Sequence, residues 1–144
     1  MVTFQDMLND KTGKLARDYL NKPSPKRIKI NSMGCKLLDY TPSKKNGYIQ
    51  LSVGGNKKGP VVHKVACFLA NGPPPTPEHQ ASHLCGQATC CAEEHQTWDD
   101  VEANNRRKGC KGYIMINGVK YTTEECKCNP RCLTIVTAQS RVDP

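Results

Sequence analysis

The chain has 144 residues, of which 37% are hydrophobic and 6% aromatic, so one domain with a thin apolar core is expected, held by something besides burial. Its net charge of +8 and pI near 9.1, with clusters at Lys26-Arg27, Lys44-Lys45, Lys57-Lys58 and Arg106-Arg107-Lys108, favour a polyanionic partner. No apolar run approaches the length of a membrane span, so the expectation is a soluble chain that does not act in a membrane.

Residues 3–20 read as a broken amphipathic helix with Phe4, Met7, Leu8, Leu15 and Tyr19 on its apolar side and Gly13 weakening the middle; it is expected to serve packing or dimerisation. Two prolines make residues 21–25 a linker, so residues 1–25 are read as a helical segment with its linker and 26–144 as one domain. Arg27-Ile28-Lys29-Ile30 alternates at strand period, burying the isoleucines and presenting Arg27 and Lys29. Cys35 then stands alone, and a buried small apolar role is its default.

Residues 48–53 alternate again, and Gly54-Gly55-Asn56 supplies a tight hairpin turn. Such an antiparallel ribbon can enter the major groove of B-DNA, with Gln50, Ser52, Asn56, Lys57 and Lys58 available to bases and phosphates. Residues 61–70 carry apolar side chains at helical spacing and stop at Asn71-Gly72. Within that helix Cys67 reads as core, and His63 as either a phosphate contact or an ordinary surface histidine. The proline run from 73 to 77 is a stiff loop that delivers one short strand, His79 to Leu84.

Nine cysteines, an odd number, are interleaved with histidines behind a start that carries no hydrophobic signal segment. That pattern favours zinc in a reducing, intracellular setting over a secreted disulfide framework. Cys85, Cys90 and His95 are spaced Cys-x4-Cys-x4-His, and Cys35 or Cys91 could complete the tetrahedron. Cys110, Cys126, Cys128 and Cys132 suffice for a second, closed four-thiolate site.

Between the two sets, Thr97 is the expected N-cap of a helix reaching Lys108, with acidic residues early, basic residues late and Gly109 as its stop. Trp98 and Val101 mark its buried face, on which Asn104 also falls, so that carboxamide needs a partner or a cation. His83 is surplus to the zinc ligands. A surplus histidine beside an inward asparagine suits a general base for water and a ligand for a hard divalent ion such as magnesium.

Ala81-Ser82-His83-Leu84-Cys85, followed by Cys90, His95, Asn104 and Cys110 and ending Cys126-x-Cys128-x3-Cys132, resembles the His-Cys box homing endonucleases, a branch of the ββα-metal (His-Me finger) nucleases. The resemblance is close over about fifty residues and loose over the first eighty. It implies an α+β, zinc-stabilised nuclease core with a DNA-binding β-ribbon, two structural zinc ions and one catalytic magnesium. It further implies that His83 activates water, that Asn104 holds the magnesium, and that Cys35 joins Cys85, Cys90 and His95 at the first zinc. Family members act as homodimers on double-stranded DNA, and a nuclear address suits such an activity.

Three departures stand out. Cys128 replaces a histidine of the family's second site. Residues 113–121, centred on Asn117-Gly118, add a hairpin. The phosphate-contacting arginine of the family has no counterpart between Arg27 and Arg106, leaving Lys57, Lys58 or His63 to substitute. A zinc-containing DNA-binding regulator without cleavage is the alternative reading, and a protein-interaction module fits the basic clusters less well.

Overall fold

A computed structural model describes residues 3–31, 34–45, 47–54, 57–85, 89–108, 110, 113–116, 119–122, 126, 128 and 132. The architecture is α+β: short helices lie against separate two-stranded antiparallel ribbons, and each ribbon pairs strands close in sequence or joined across a metal-ligand loop.

The N-terminal segment forms two helices, α1 (Phe4–Asn9) and α2 (Lys14–Leu20). Thr3 and Asp6 cap α1 reciprocally: the Thr3 hydroxyl accepts from the Asp6 amide at 3.1 Å and the Asp6 carboxylate accepts from the Thr3 amide at 2.9 Å. The Asp10 carboxylate then accepts from the Leu15 amide at 2.9 Å, and Gly13 turns the chain at φ 74°, so α2 starts afresh. Met7, Ala16, Tyr19 and Leu20 are buried, whereas Leu15, expected inside, is 37% exposed.

Strand β1 (Ile28–Ile30) pairs with β2 (Lys36–Leu38). Only one isoleucine of β1 turns inward: Ile28 packs against the core and Ile30 is 66% exposed, because a lone two-stranded ribbon has too little body to cover both. Strand β3 (Gln50–Gly54) pairs with β4 (Lys57–Val61) with shifts of register on either side of Ser52; the turn residues Gly55 and Asn56 lie outside the described residues. Tyr19 fastens this ribbon to α2. Its hydroxyl donates to the Pro60 carbonyl at 2.7 Å and accepts from the Leu51 amide at 2.9 Å. A Cβ on Gly59 would fall 2.6 Å from the Val53 side chain and 2.7 Å from that hydroxyl, so only glycine lets the ribbon close onto Tyr19.

Helix α3 (Val62–Asn71) is buried on a wide arc through Val62, His63, Val65, Ala66 and Cys67, and it forms the centre of the core with Met7, Tyr19, Ile49 and Leu51. Each fully buried Val or Leu side chain is worth roughly 1.5–3 kcal/mol of transfer free energy. Cys67 is core, as expected, and burial pushes its thiol up to about 12. His63 is not a surface residue; it is 5% exposed.

Strand β5 (Gln80–His83) pairs with β6 (Gln96–Asp99), and α4 (Val101–Lys108) packs against both. This corrects the helix expected from Thr97. Residues 96–99 pair with β5, a tertiary contact that outweighs local helix signals. The cap is instead Asp100, whose carboxylate accepts from the Ala103 amide at 2.7 Å. Trp98 therefore lies in a strand, where its indole donates to the Gly72 carbonyl at 2.8 Å, and Val101 is 46% exposed. The buried residues of α4 are Asn104 and Arg107. Strands β7 (Tyr113–Ile116) and β8 (Val119–Thr122) form the added hairpin, while Asn117 and Gly118 lie outside the described residues. Among the described residues no helix is long and apolar enough to cross a membrane.

Candidate functional site

Cys35 is delivered by Gly34, which turns the chain at φ 82°, and by Asn31, whose carboxamide oxygen accepts the Cys35 amide at 2.9 Å. Cys85 follows β5, Cys90 is bridged to Leu37 of β2, and a 3-10 turn at Glu93–His95 presents His95. The ligand atoms of Cys35, Cys85, Cys90 and His95 all lie within 4.8 Å of one another, and all four residues are buried. A zinc tetrahedron with bonds of about 2.3 Å to sulfur has edges of roughly 3.8 Å, which this cluster can meet.

The four groups interact tightly with one another. Hydrogen bonds from Cys35, Cys85 and His95 hold the Cys90 thiol far below its ordinary range despite burial, and Cys35 and Cys90 lift His95 up to about 10. The His95 Nδ1 is 3.5 Å from the Cys35 sulfur and 3.3 Å from that of Cys90. Cys91, the alternative fourth ligand, packs into the main apolar core instead, where burial pushes its thiol up to about 12.

Cys110, Cys126, Cys128 and Cys132 form the second group, with Cys126 and Cys132 buried and the other two half-buried. Four thiols this close cannot all ionise without a cation. Burial opposes ionisation of Cys126, yet backbone hydrogen bonds from Cys132 and Cys128 and the Cys110 thiol bring it down to about 6. Burial and the neighbouring Cys132 and Cys110 push Cys128 up to about 12. Both clusters are compatible with structural zinc.

His83 ends β5 with its Nε2 3.1 Å from the Cys90 carbonyl. A carbonyl only accepts, so the proton sits on Nε2 and Nδ1 keeps its lone pair. Burial lowers the pKa of His83, outweighing the opposite pull of Cys90, and the ring is neutral near pH 7. The His63 ring lies against it, centroids 4.1 Å apart, and Tyr48 closes the group at 4.7 Å from His63. Burial first, and His83 second, push His63 down to about 3.

Asn104 meets β5 from α4. Its Oδ1 accepts from the Ser82 hydroxyl at 2.5 Å, and its Nδ2 donates to the Gln80 side chain at 2.7 Å. Gln80 and Ser82 alternate with Ala81 and His83 along the strand, so the carboxamide and the imidazole approach β5 from opposite faces. A cleft of about 330 Å³ is lined by Tyr48, His63, Glu78, Gln80, Asn104 and Lys108, while His83 touches it only through the His63 ring.

Of the expected DNA contacts, Lys29, Gln50, Ser52, Lys57 and Lys58 fall on two ribbons, Arg27 on the 3-10 turn before β1 and His63 on α3. Lys29, Ser52, Lys57 and Lys58 are exposed. Arg27 lies over the Tyr40 ring at 4.7 Å and donates to the Asp39 carbonyl at 3.2 Å. Gln50 donates its amide to the Gly59 carbonyl at 2.8 Å, which spends that hydrogen on the ribbon itself, and Asn56 lies outside the described residues. Tyr48, Gln80, Ser82, Asp99 and Arg107 were not anticipated at the site. Period-2 alternation would have placed Gln80 and Ser82 together, and Arg107, three residues beyond Asn104, shares its helical face.

The family described as the zinc-binding loop region of homing endonuclease matches residues 34–142. The chain belongs to that family. Neither the curated proteins nor the solved structures compared with it give a match. Membership in this homing endonuclease family accounts for the two Cys/His clusters and makes the protein a DNA-binding endonuclease in outline.

Proposed function

We propose that the protein is a homing-type endonuclease that hydrolyses phosphodiester bonds in double-stranded DNA with His83 as general base and one divalent metal held by Asn104. The observation that carries the reading is the imidazole of His83, fixed by the Cys90 carbonyl so that Nδ1 is the basic atom and kept neutral by burial. Nδ1 removes a proton from water, the resulting hydroxide attacks phosphorus, and the bond to the 3′ oxygen breaks. Magnesium, when bound, offsets the charge that builds on the phosphate and on the leaving oxygen. Asn104 and Glu78 supply oxygen donors at the cleft, and magnesium characteristically completes its shell with water and phosphate oxygens, so the donor set fits a hard cation.

Cys35, Cys85, Cys90 and His95 hold one zinc in this reading, and Cys110, Cys126, Cys128 and Cys132 the other. Arg27, Lys29, Ser52, Lys57 and Lys58 contact DNA, and the His63 ring packs between His83 and the cleft. Two strands need two active sites, for which a homodimer is the simplest supply. One observation favours a DNA-binding regulator instead: the Asn104 oxygen already accepts from Ser82. The deciding experiment is magnesium-dependent cleavage of a randomised double-stranded DNA library by wild type beside His83→Ala. Cutting by wild type, reduced by roughly 100-fold or more in the variant, supports the nuclease. Specific binding without cutting by either moves the reading to the regulator.

A further inference from the structure

Arg107 is a buried cation placed between a carboxylate and a cysteine sulfur. Its Nε donates to the Asp99 carboxylate at 2.9 Å, with both side chains 4% exposed, and its Nη1 lies 3.9 Å from the Cys132 sulfur. Asp99 belongs to β6 and stands opposite Gln80 of β5, the residue that accepts from the Asn104 amide. Asn104 and Arg107 are one helical turn apart on α4, so the two side chains fasten the same helix to the same pair of strands.

A closed site of four thiolates around a divalent zinc carries a net charge of about −2, which a buried setting tolerates only beside a positive group. The guanidinium at Cys132 is such a group. Its fork serves the carboxylate with one nitrogen and the sulfur with another, and an ammonium, a point charge on a flexible stem, cannot reproduce both.

We infer that Arg107 is a positioning residue with two functions: it neutralises the second zinc cluster, and through Asp99 it sets the height of α4 so that Asn104 meets the cleft. The inference rests on the zinc and nuclease reading above. The second cluster is thereby tied to the metal-binding residue of the active site, not merely to the stability of the chain's end.

The test uses the full chain loaded with zinc and three variants. Release of zinc to a chromophoric chelator, measured without DNA, should resolve two equivalents. Arg107→Met should release one of them roughly tenfold faster, with the other unchanged. It should also lose roughly tenfold in kcat on target DNA with little change in KM, because DNA contacts stay intact. Arg107→Lys should restore zinc retention and leave kcat low. Asp99→Asn should retain both zinc equivalents and still lower kcat, and it serves where Arg107→Met does not fold.

Unaltered zinc release in Arg107→Met, or equally fast release in Arg107→Lys, overturns the charge function. Normal kcat in Asp99→Asn overturns the positioning function. If wild type cuts no DNA, the nuclease reading fails while zinc release still decides whether Arg107 neutralises the thiolates.

Discussion

The two metal clusters are built differently. The first gathers Cys35 from beside β2 and three ligands from the loop joining β5 to β6, all buried, so it closes the structure across a long stretch of chain. The second leaves Cys110 and Cys128 half-buried and, among the described residues, meets α4 at Arg107, whose side chain reaches Cys132 and whose carbonyl accepts from the Cys110 amide. Each cluster adjoins one half of the proposed active site: Cys90 belongs to the first cluster and its carbonyl is the partner of His83, whereas Cys132 lies against Arg107, which shares α4 with Asn104 and pairs with Asp99. A protein with little apolar core thus has a separate clamp beside each of the two residues proposed to act, His83 and Asn104.

The largest effect should come from breaking the first clamp. Cys35→Ser is expected to remove several kcal/mol of stability, since zinc binding contributes directly to folding free energy. Cys128→Ser should cost less and leave the β5–β6 hairpin folded. Thermal melts of both at equal zinc concentration check the order; equal losses would remove the distinction between a core site and a peripheral one.

A smaller effect is expected from Ser82→Ala, which strips the Asn104 oxygen of its buried donor for about 1–3 kcal/mol. Denaturant titration measures it. The same variant sharpens the role of Asn104: cleavage that falls while DNA affinity holds marks Ser82 as the group that aims the carboxamide.

The smallest effect concerns His63. Burial holds its folded pKa at about 3, below the 6.5 of the exposed group, so the unfolded chain takes up the proton first as pH falls. Stability is full above about 6.5 and declines toward about 3 by up to about 1.4 kcal/mol per pH unit. Acid also protonates the zinc ligands, so the useful quantity is the difference between wild type and His63→Asn. Urea titrations at pH 7.5 and 5.5 should show wild type losing more; parallel losses would mean that His63 is not held neutral.

Much of this was legible in the sequence, for identifiable reasons. Metal ligands are marked by residue type and spacing, so the second set was readable from its own cysteines, while Cys35 required the family resemblance because nothing local distinguishes a distant ligand from a core thiol. The alternation of 48–53 with the Gly54-Gly55-Asn56 turn and the apolar period of 61–70 pointed to β3, β4 and α3. Trp98 misled because Thr97 and the acids after it imitate a helix start, and only pairing with β5, seventeen residues away from its nearest strand partner, decides otherwise. Arg107 was hidden in a basic run whose other members face water; its inward turn depends on Asp99, and a buried charge declares itself only when its partner is placed.

The Tyr19 anchor carries a consequence for how such a protein could change its target. Its hydroxyl and Gly59 occupy the inner side of the β3–β4 ribbon with no space to spare, so that side is closed to variation. Ser52, Lys57 and Lys58 are exposed. On the proposed reading of this ribbon as a DNA contact, drift in the recognised sequence is open to the outer residues while Tyr19 holds the ribbon's path fixed.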